Sequence, residues 1–123
     1  MTQRPNVVVR RIYDDPEPTD GQRVLVDRLW PRGVSKERAD LTTWCKAAAP
    51  STDLRKWYDH DPDRFAEFAR RYRAELDDAD HADALAELRT MAAHGPLTLL
   101  TAARRADISE ATVLADILGA PAN

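Results

Sequence analysis

Val24-Leu25-Val26-Asp27-Arg28-Leu29-Trp30-Pro31-Arg32-Gly33 is a short, unbroken apolar run that gives way to charge and then to a proline and a glycine. A strand with one wet face alternates apolar and polar residues, whereas a continuous run suits a strand covered on both sides. The segment within Arg23 to Leu29 is therefore expected to be a buried strand, stopped by Trp30-Pro31-Arg32-Gly33. Two further stretches read the same way. Val7-Val8-Val9, continuing through Arg10-Arg11-Ile12-Tyr13, ends in the Asp, Pro and Gly cluster from Asp14 to Gly21, and Leu97-Thr98-Leu99-Leu100 follows Gly95-Pro96. Strands of this kind, joined by helices, predict the α/β class: a small parallel or mixed sheet flanked by helices in a three-layer α/β/α sandwich.

The helices are marked by caps and by spacing. Ser51 and Thr52 precede Leu54, Trp57 and Tyr58, which share a face. Asp61 caps a helix with Pro62 at its first position, and Phe65, Phe68, Tyr72 and Leu76 follow on one stripe. A third helix is expected from a cap at Asp80, with Leu85, Leu88 and Met91 inward and Gly95-Pro96 as its stop. The last is expected to begin at Asp107, with Glu110 completing a capping box, and to carry Val113, Leu114, Ile117 and Leu118. Leu41 to Ala48 reads as a short strand or an irregular segment.

A chain of 123 residues has the ordinary length of one domain, so residues 1–123 are expected to form a single unit. The polar start from Met1 to Asn6 offers neither a signal-peptide apolar region nor a membrane span, and the expectation is a cytoplasmic protein. Cys45 is alone, which excludes an internal disulfide and multi-cysteine zinc sites. With 18 Lys and Arg against 21 Asp and Glu, the net charge of −3 argues against nonspecific coating of nucleic acid. Arginine nevertheless dominates the basic residues, and its planar fork suits carboxylate and phosphate.

In open parallel sheets ligands bind beyond the carboxyl ends of the strands. Two exits stand out: Asp27 to Gly33, and Thr101-Ala102-Ala103-Arg104-Arg105 leading toward the last helix. If the strands are parallel, Arg28, Arg32 and Arg104 converge near Thr101 and a helix amino terminus, where free N–H groups favour anions. Trp30 offers a flat face and Gly33 a close backbone approach. A second constellation, Arg55-Lys56-Trp57-Tyr58-Asp59-His60-Asp61-Pro62, adds Arg55 as a cation, Trp57 as a stacking surface and His60 as a proton carrier, with Asp27 as a second candidate acid or base. Ordinary roles compete with each of these: arginines form surface ion pairs, tryptophans anchor packing, and Asp61 is a cap. A metal site at Asp59, His60, Asp61 and Asp63 is disfavoured because adjacent side chains rarely aim at one ion, and no cofactor signature is present.

The ordered set Val26-Asp27-Arg28-Leu29-Trp30-Pro31-Arg32-Gly33, Pro50-Ser51-Thr52-Asp53-Leu54-Arg55-Lys56-Trp57, His60-Asp61-Pro62 with Phe68, Tyr72, Glu75 and Leu76, and Leu97-Thr98-Leu99-Leu100 resembles the YeaO-like family of bacterial domains of unknown function. The resemblance runs from about Val9 to Leu118. It implies a small α/β fold and carries no established activity. Thr101-Ala102-Ala103-Arg104 departs from the family's usual tyrosine, two alanines and lysine, keeping only the positive charge at the fourth place.

Three functions follow as expectations. The first is an enzyme acting on a nucleotide or phosphorylated substrate, gripped by Arg28, Arg32 and Arg104, with Trp30 or Trp57 stacking. The second is a noncatalytic module that binds a small anion or nucleotide at the same residues. The third is a nucleic-acid or protein partner bound by a basic helical face of Arg70, Arg71 and Arg73, a feature that more often is a solvated surface.

Overall fold

The β-branched and leucine-rich runs do pair, and they pair in parallel. In the computed structural model, which describes residues 6–119, strands β1 (Val7–Arg11), β2 (Gln22–Leu25), β3 (Thr43–Trp44) and β4 (Leu97–Thr101) form one sheet in the order β1-β4-β2-β3. Every pairing is parallel, with Val9 opposite Leu99 and Val24 also opposite Leu99 from the other side. The central strand β4 is buried at all five positions, as its apolar composition requires.

Helices α1 (Lys36–Ala39), α2 (Thr52–Tyr58), α3 (Phe65–Glu75), α4 (Ala79–His94) and α5 (Glu110–Gly119) complete the chain. The pleat sends alternate strand residues to two cores. Val24, Val26, Leu97 and Leu99 face the larger one with Leu54, Phe68, Tyr72, Leu88 and Leu114 from α2 to α5. Leu25 and Leu100 face a thinner one with Ile12, Val34 and Ala39, closed by Trp30 and Trp44. The sandwich thus has three layers of unequal weight. Each fully buried leucine or phenylalanine in it contributes roughly 1.5–3 kcal/mol relative to exposure.

Several boundaries differ from the expectations: β2 ends at Leu25, well short of Leu29, and the four-residue α1 has no counterpart in the sequence reading. Asp78, not Asp80, caps α4, because its side chain accepts the His81 N–H at 2.9 Å while its backbone is extended. Asp107 does not begin α5: residues Ala106–Ile108 tighten into a 3-10 turn, Asp107 pairs with Arg105 at 2.8 Å, and α5 starts at Glu110. Pro62–Arg64 is likewise a 3-10 turn feeding α3, with Asp61 capping it as expected. The ambiguous stretch contains the short β3 and then a 3-10 turn at Lys46–Ala48.

Under the entry to β2, Asp20 accepts from Arg10 at 2.9 Å and from Arg23 at 2.5 Å, and Arg23 also donates to the Ala39 carbonyl. Asp20 and Arg23 are each 4% exposed. Among the described residues no buried side-chain polar atom lacks a partner, and no helix is long and apolar enough to cross a membrane.

Candidate functional site

Parallel pairing carries the exits of β2 and β4 to one edge of the sheet, and a cleft of about 860 Å³ opens there. Its rim is cationic. Arg28 comes from the loop after β2, Arg55 and Lys56 from α2, and Arg104 from the loop after β4. Among the described residues no carboxylate lies within ion-pair distance of these four; Arg28 makes only a long contact of 3.5 Å to the Pro50 carbonyl. Arg105 also lines the cleft but is occupied by Asp107.

The floor has a different character. Asp27 accepts the Thr101 hydroxyl on one oxygen and the Ala102 N–H on the other, both at 2.8 Å. Beside it Glu110, the first residue of α5, is half-buried and approaches the same Thr101 hydroxyl, at 3.4 Å against 2.8 Å for Asp27. Desolvation, together with the neighbouring Asp27 side chain, pushes the Glu110 carboxyl well above its ordinary range. Glu110 is therefore the carboxyl at this floor that is pushed toward its protonated form. The Thr101 Oγ is 3.4 Å from Glu110, so its hydroxyl proton goes to the nearer Asp27, and it accepts in turn from the Ala103 N–H.

The walls are held by aromatic side chains whose polar tips are already used. Trp30 lines the cleft, but its indole N–H donates to the Val34 carbonyl at 2.7 Å and its ring packs edge-on against Trp44 at 5.3 Å, so it clips the Leu29–Val34 loop shut. Trp44 donates to the Asp27 carbonyl at 2.7 Å and so fixes the floor's backbone. Tyr58 stacks on Phe68 at 4.3 Å and donates to the Ile108 carbonyl at 2.6 Å, tying α2 to the turn before α5.

The cleft thus gathers Asp27, Arg28, Trp30, Arg55, His60, Thr101 and Arg104. It does not gather Arg32, Gly33 or Trp57. Pro31 is buried and the Trp30–Val34 bond turns the chain, leaving Arg32 and Gly33 exposed at the loop tip. Trp57 is half-buried against the larger core on the side of α2 that meets α3, where the guanidinium groups of Arg71 and Arg64 sit over its ring at 4.2 and 5.4 Å. His60 follows Asp59 in the left-handed region, with φ of 54° and 49°, a conformation disfavoured for side-chain-bearing residues. Neither flanking aspartate hydrogen-bonds its imidazole, and Asp61 is spent on the Asp63 N–H. No three metal-ligating side chains assemble among the described residues, the Asp59–Asp63 segment included.

The floor residue that the sequence reading missed is Glu110, assigned there to a capping box. A signal was present: Glu110 stands three and four residues before Val113 and Leu114, in register with the buried stripe of its helix, where a carboxylate is out of place. Tyr58, four residues after Leu54, was placed on the correct face but given no role.

The profile of the inactive DUF488-N3 subclade matches residues 6–122. The uncharacterized protein Rv3073c of Mycobacterium tuberculosis strain H37Rv is 49% identical over 118 residues, covering 96% of this chain and 98% of that one. The uncharacterized protein YeaO of Escherichia coli K12 is 43% identical over 113 residues, covering 92% and 96%. No solved structure matches.

Proposed function

The chain belongs to the inactive DUF488-N3 subclade, the family of YeaO-like domains, and from that premise we propose that it is a noncatalytic module binding a small phosphorylated or nucleotide-type anion in the cleft at the carboxyl edge of the sheet. The observation that carries the reading is the set of cations Arg28, Arg55, Lys56 and Arg104, without an ion-pair partner among the described residues and delivered by three separate segments to one rim. Unpaired guanidinium groups facing a shared hollow gain from an oxyanion what surface pairs gain from a carboxylate, with less solvent screening. The volume falls within the range of small-molecule pockets.

Catalysis would call on Asp27 and His60. A Glu110 carboxyl raised well above its ordinary range, beside Asp27 in a ligand-sized cleft, gives the enzyme reading its one specific support. The subclade's description as inactive and the absence of a hydrogen bond from His60 to either flanking aspartate favour binding without turnover. The basic face of α3 is weakened as a partner site because Arg70 and Arg71 both bond to Glu67, at 2.6 and 2.8 Å.

Thermal denaturation with increasing pyrophosphate or adenosine monophosphate tests the proposal, since a ligand of the folded state raises the melting temperature with its concentration. The expected result is a graded rise that disappears in the Arg28→Ala, Arg104→Ala double variant, with no product formed on long incubation. A flat response to both anions, or a rise that survives the double substitution, removes the site.

A further inference from the structure

The floor of the cleft, more than its rim, limits which anion fits. A bare oxyanion pressed against Asp27 would meet another acceptor, so the complement of the floor is a hydrogen-bond donor. Thr101 and Ala102 fill one position on each Asp27 oxygen, and a carboxylate has about four lone-pair sites, so acceptor capacity remains. Glu110, pushed toward its protonated form, stands beside Asp27 around the Thr101 hydroxyl, so the floor sets a donor next to an acceptor. That suits neutral hydroxyls better than an ammonium group. A carboxylate facing the hydroxyls of a sugar is a recurrent means of ribose recognition at the carboxyl edge of parallel sheets. Leu29, 65% exposed, adds apolar surface on the cleft wall for a carbon frame, and about 860 Å³ is far more room than phosphate alone fills.

Resting on the anion-site reading above, we propose that the ligand is a phosphomonoester carrying free vicinal hydroxyls, a nucleotide or a sugar phosphate, with its phosphate at Arg28 and Arg104 and its hydroxyls on Asp27 and Glu110. The rim and the floor then divide the recognition. The guanidinium groups supply attraction to any phosphate, and the carboxyl pair selects those with donors at the other end.

Calorimetric titration of the intact chain with two matched pairs decides this: adenosine monophosphate against its 2′,3′-dideoxy analogue, and ribose 5-phosphate against inorganic phosphate. The hydroxylated member is expected to bind at least about tenfold more tightly, the scale of one or two hydrogen bonds to a charged group. A preference in the adenosine pair with ribose 5-phosphate inert identifies the nucleotide; a preference in the ribose pair identifies the sugar phosphate as sufficient. Asp27→Asn is expected to erase the preference while phosphate still binds. Because Asp27 also anchors the loop after β4, Glu110→Ala is run beside it with circular dichroism as the fold control, and a reduced preference is expected there too. Equal affinities within both pairs, or a preference unchanged in both variants, overturn the inference while leaving an anion site in place. Failure of all four compounds to bind removes the anion site itself, and this inference with it.

Discussion

Tyr72 is 0% exposed and donates its phenolic hydrogen to the Ala48 carbonyl, joining α3 to the turn that follows β3. Burial pushes its ionisation well above the ordinary tyrosine value, so it remains a donor across the accessible pH range. Tyr72→Phe keeps the ring and its contact with Phe68 but strands a buried carbonyl. The expected loss is about 1–3 kcal/mol in urea unfolding with an unchanged slope, and a loss near zero would mean water reaches Ala48. The aromatic stripe of Phe65, Phe68 and Tyr72 was legible from spacing alone, because helical periodicity places such residues together. The partner of the hydroxyl was not, because Ala48 lies 24 residues away on a different element. The same division holds in the cleft. Arg28 and Arg104 could be placed from the exits of two parallel strands, whereas Arg32, only four positions after Arg28, was lost to a loop closed by the bond from the Trp30 indole N–H to the Val34 carbonyl.

At the scale of elements, the ion triad of Arg10, Asp20 and Arg23 is the fastening that composition could not reveal. Arg10 belongs to β1, Arg23 to β2, and Asp20 to the turn between them, while Arg23 also reaches Ala39 at the end of α1. Burial disfavours charge on Asp20, but the Glu17 N–H and both guanidinium groups outweigh it and hold the carboxyl below its usual range. Asp20→Asn leaves two guanidinium groups facing an uncharged amide, one of them 4% exposed. Breaking a buried pair from one side costs about 3–5 kcal/mol. A loss of that size by chemical denaturation is expected, with β1 and β2 losing amide protection before α3. A loss below about 1 kcal/mol would show that water, not Asp20, satisfies Arg23. The strands and helices themselves were readable because each follows a local period or cap. The start of α5 was not, because Asp107 satisfies the same cap pattern in a turn that Tyr58, from another helix, holds in place.

For the whole molecule, groups shifted in opposite directions set a pH optimum. Asp20 is depressed in the folded state, so its contribution is full above the ordinary aspartate value and is lost as pH falls through the folded one. Glu110 is raised, so the fold holds a proton that the unfolded chain releases, and its contribution is full in acid and lost as pH rises. His81 acts in the same sense: burial opposes its charge, but hydrogen bonds to Asp78 and the Ala49 carbonyl outweigh that and leave it raised. Stability should therefore peak in mildly acidic solution, above the range where Asp20 protonates and below that where His81 discharges. The Glu110 contribution begins to decline once the pH passes about 4.3, by at most ~1.4 kcal/mol per pH unit, until Glu110 itself ionises. Glu110→Gln retains a neutral donor toward Asp27 and removes that proton linkage. Melting temperatures from pH 4 to 9 are expected to fall less steeply for the variant than for the parent, with the two curves diverging as pH increases. Parallel curves would mean that Glu110 is charged in the folded protein and that the floor of the cleft carries two negative charges rather than one, a surface that would repel the anion its rim attracts.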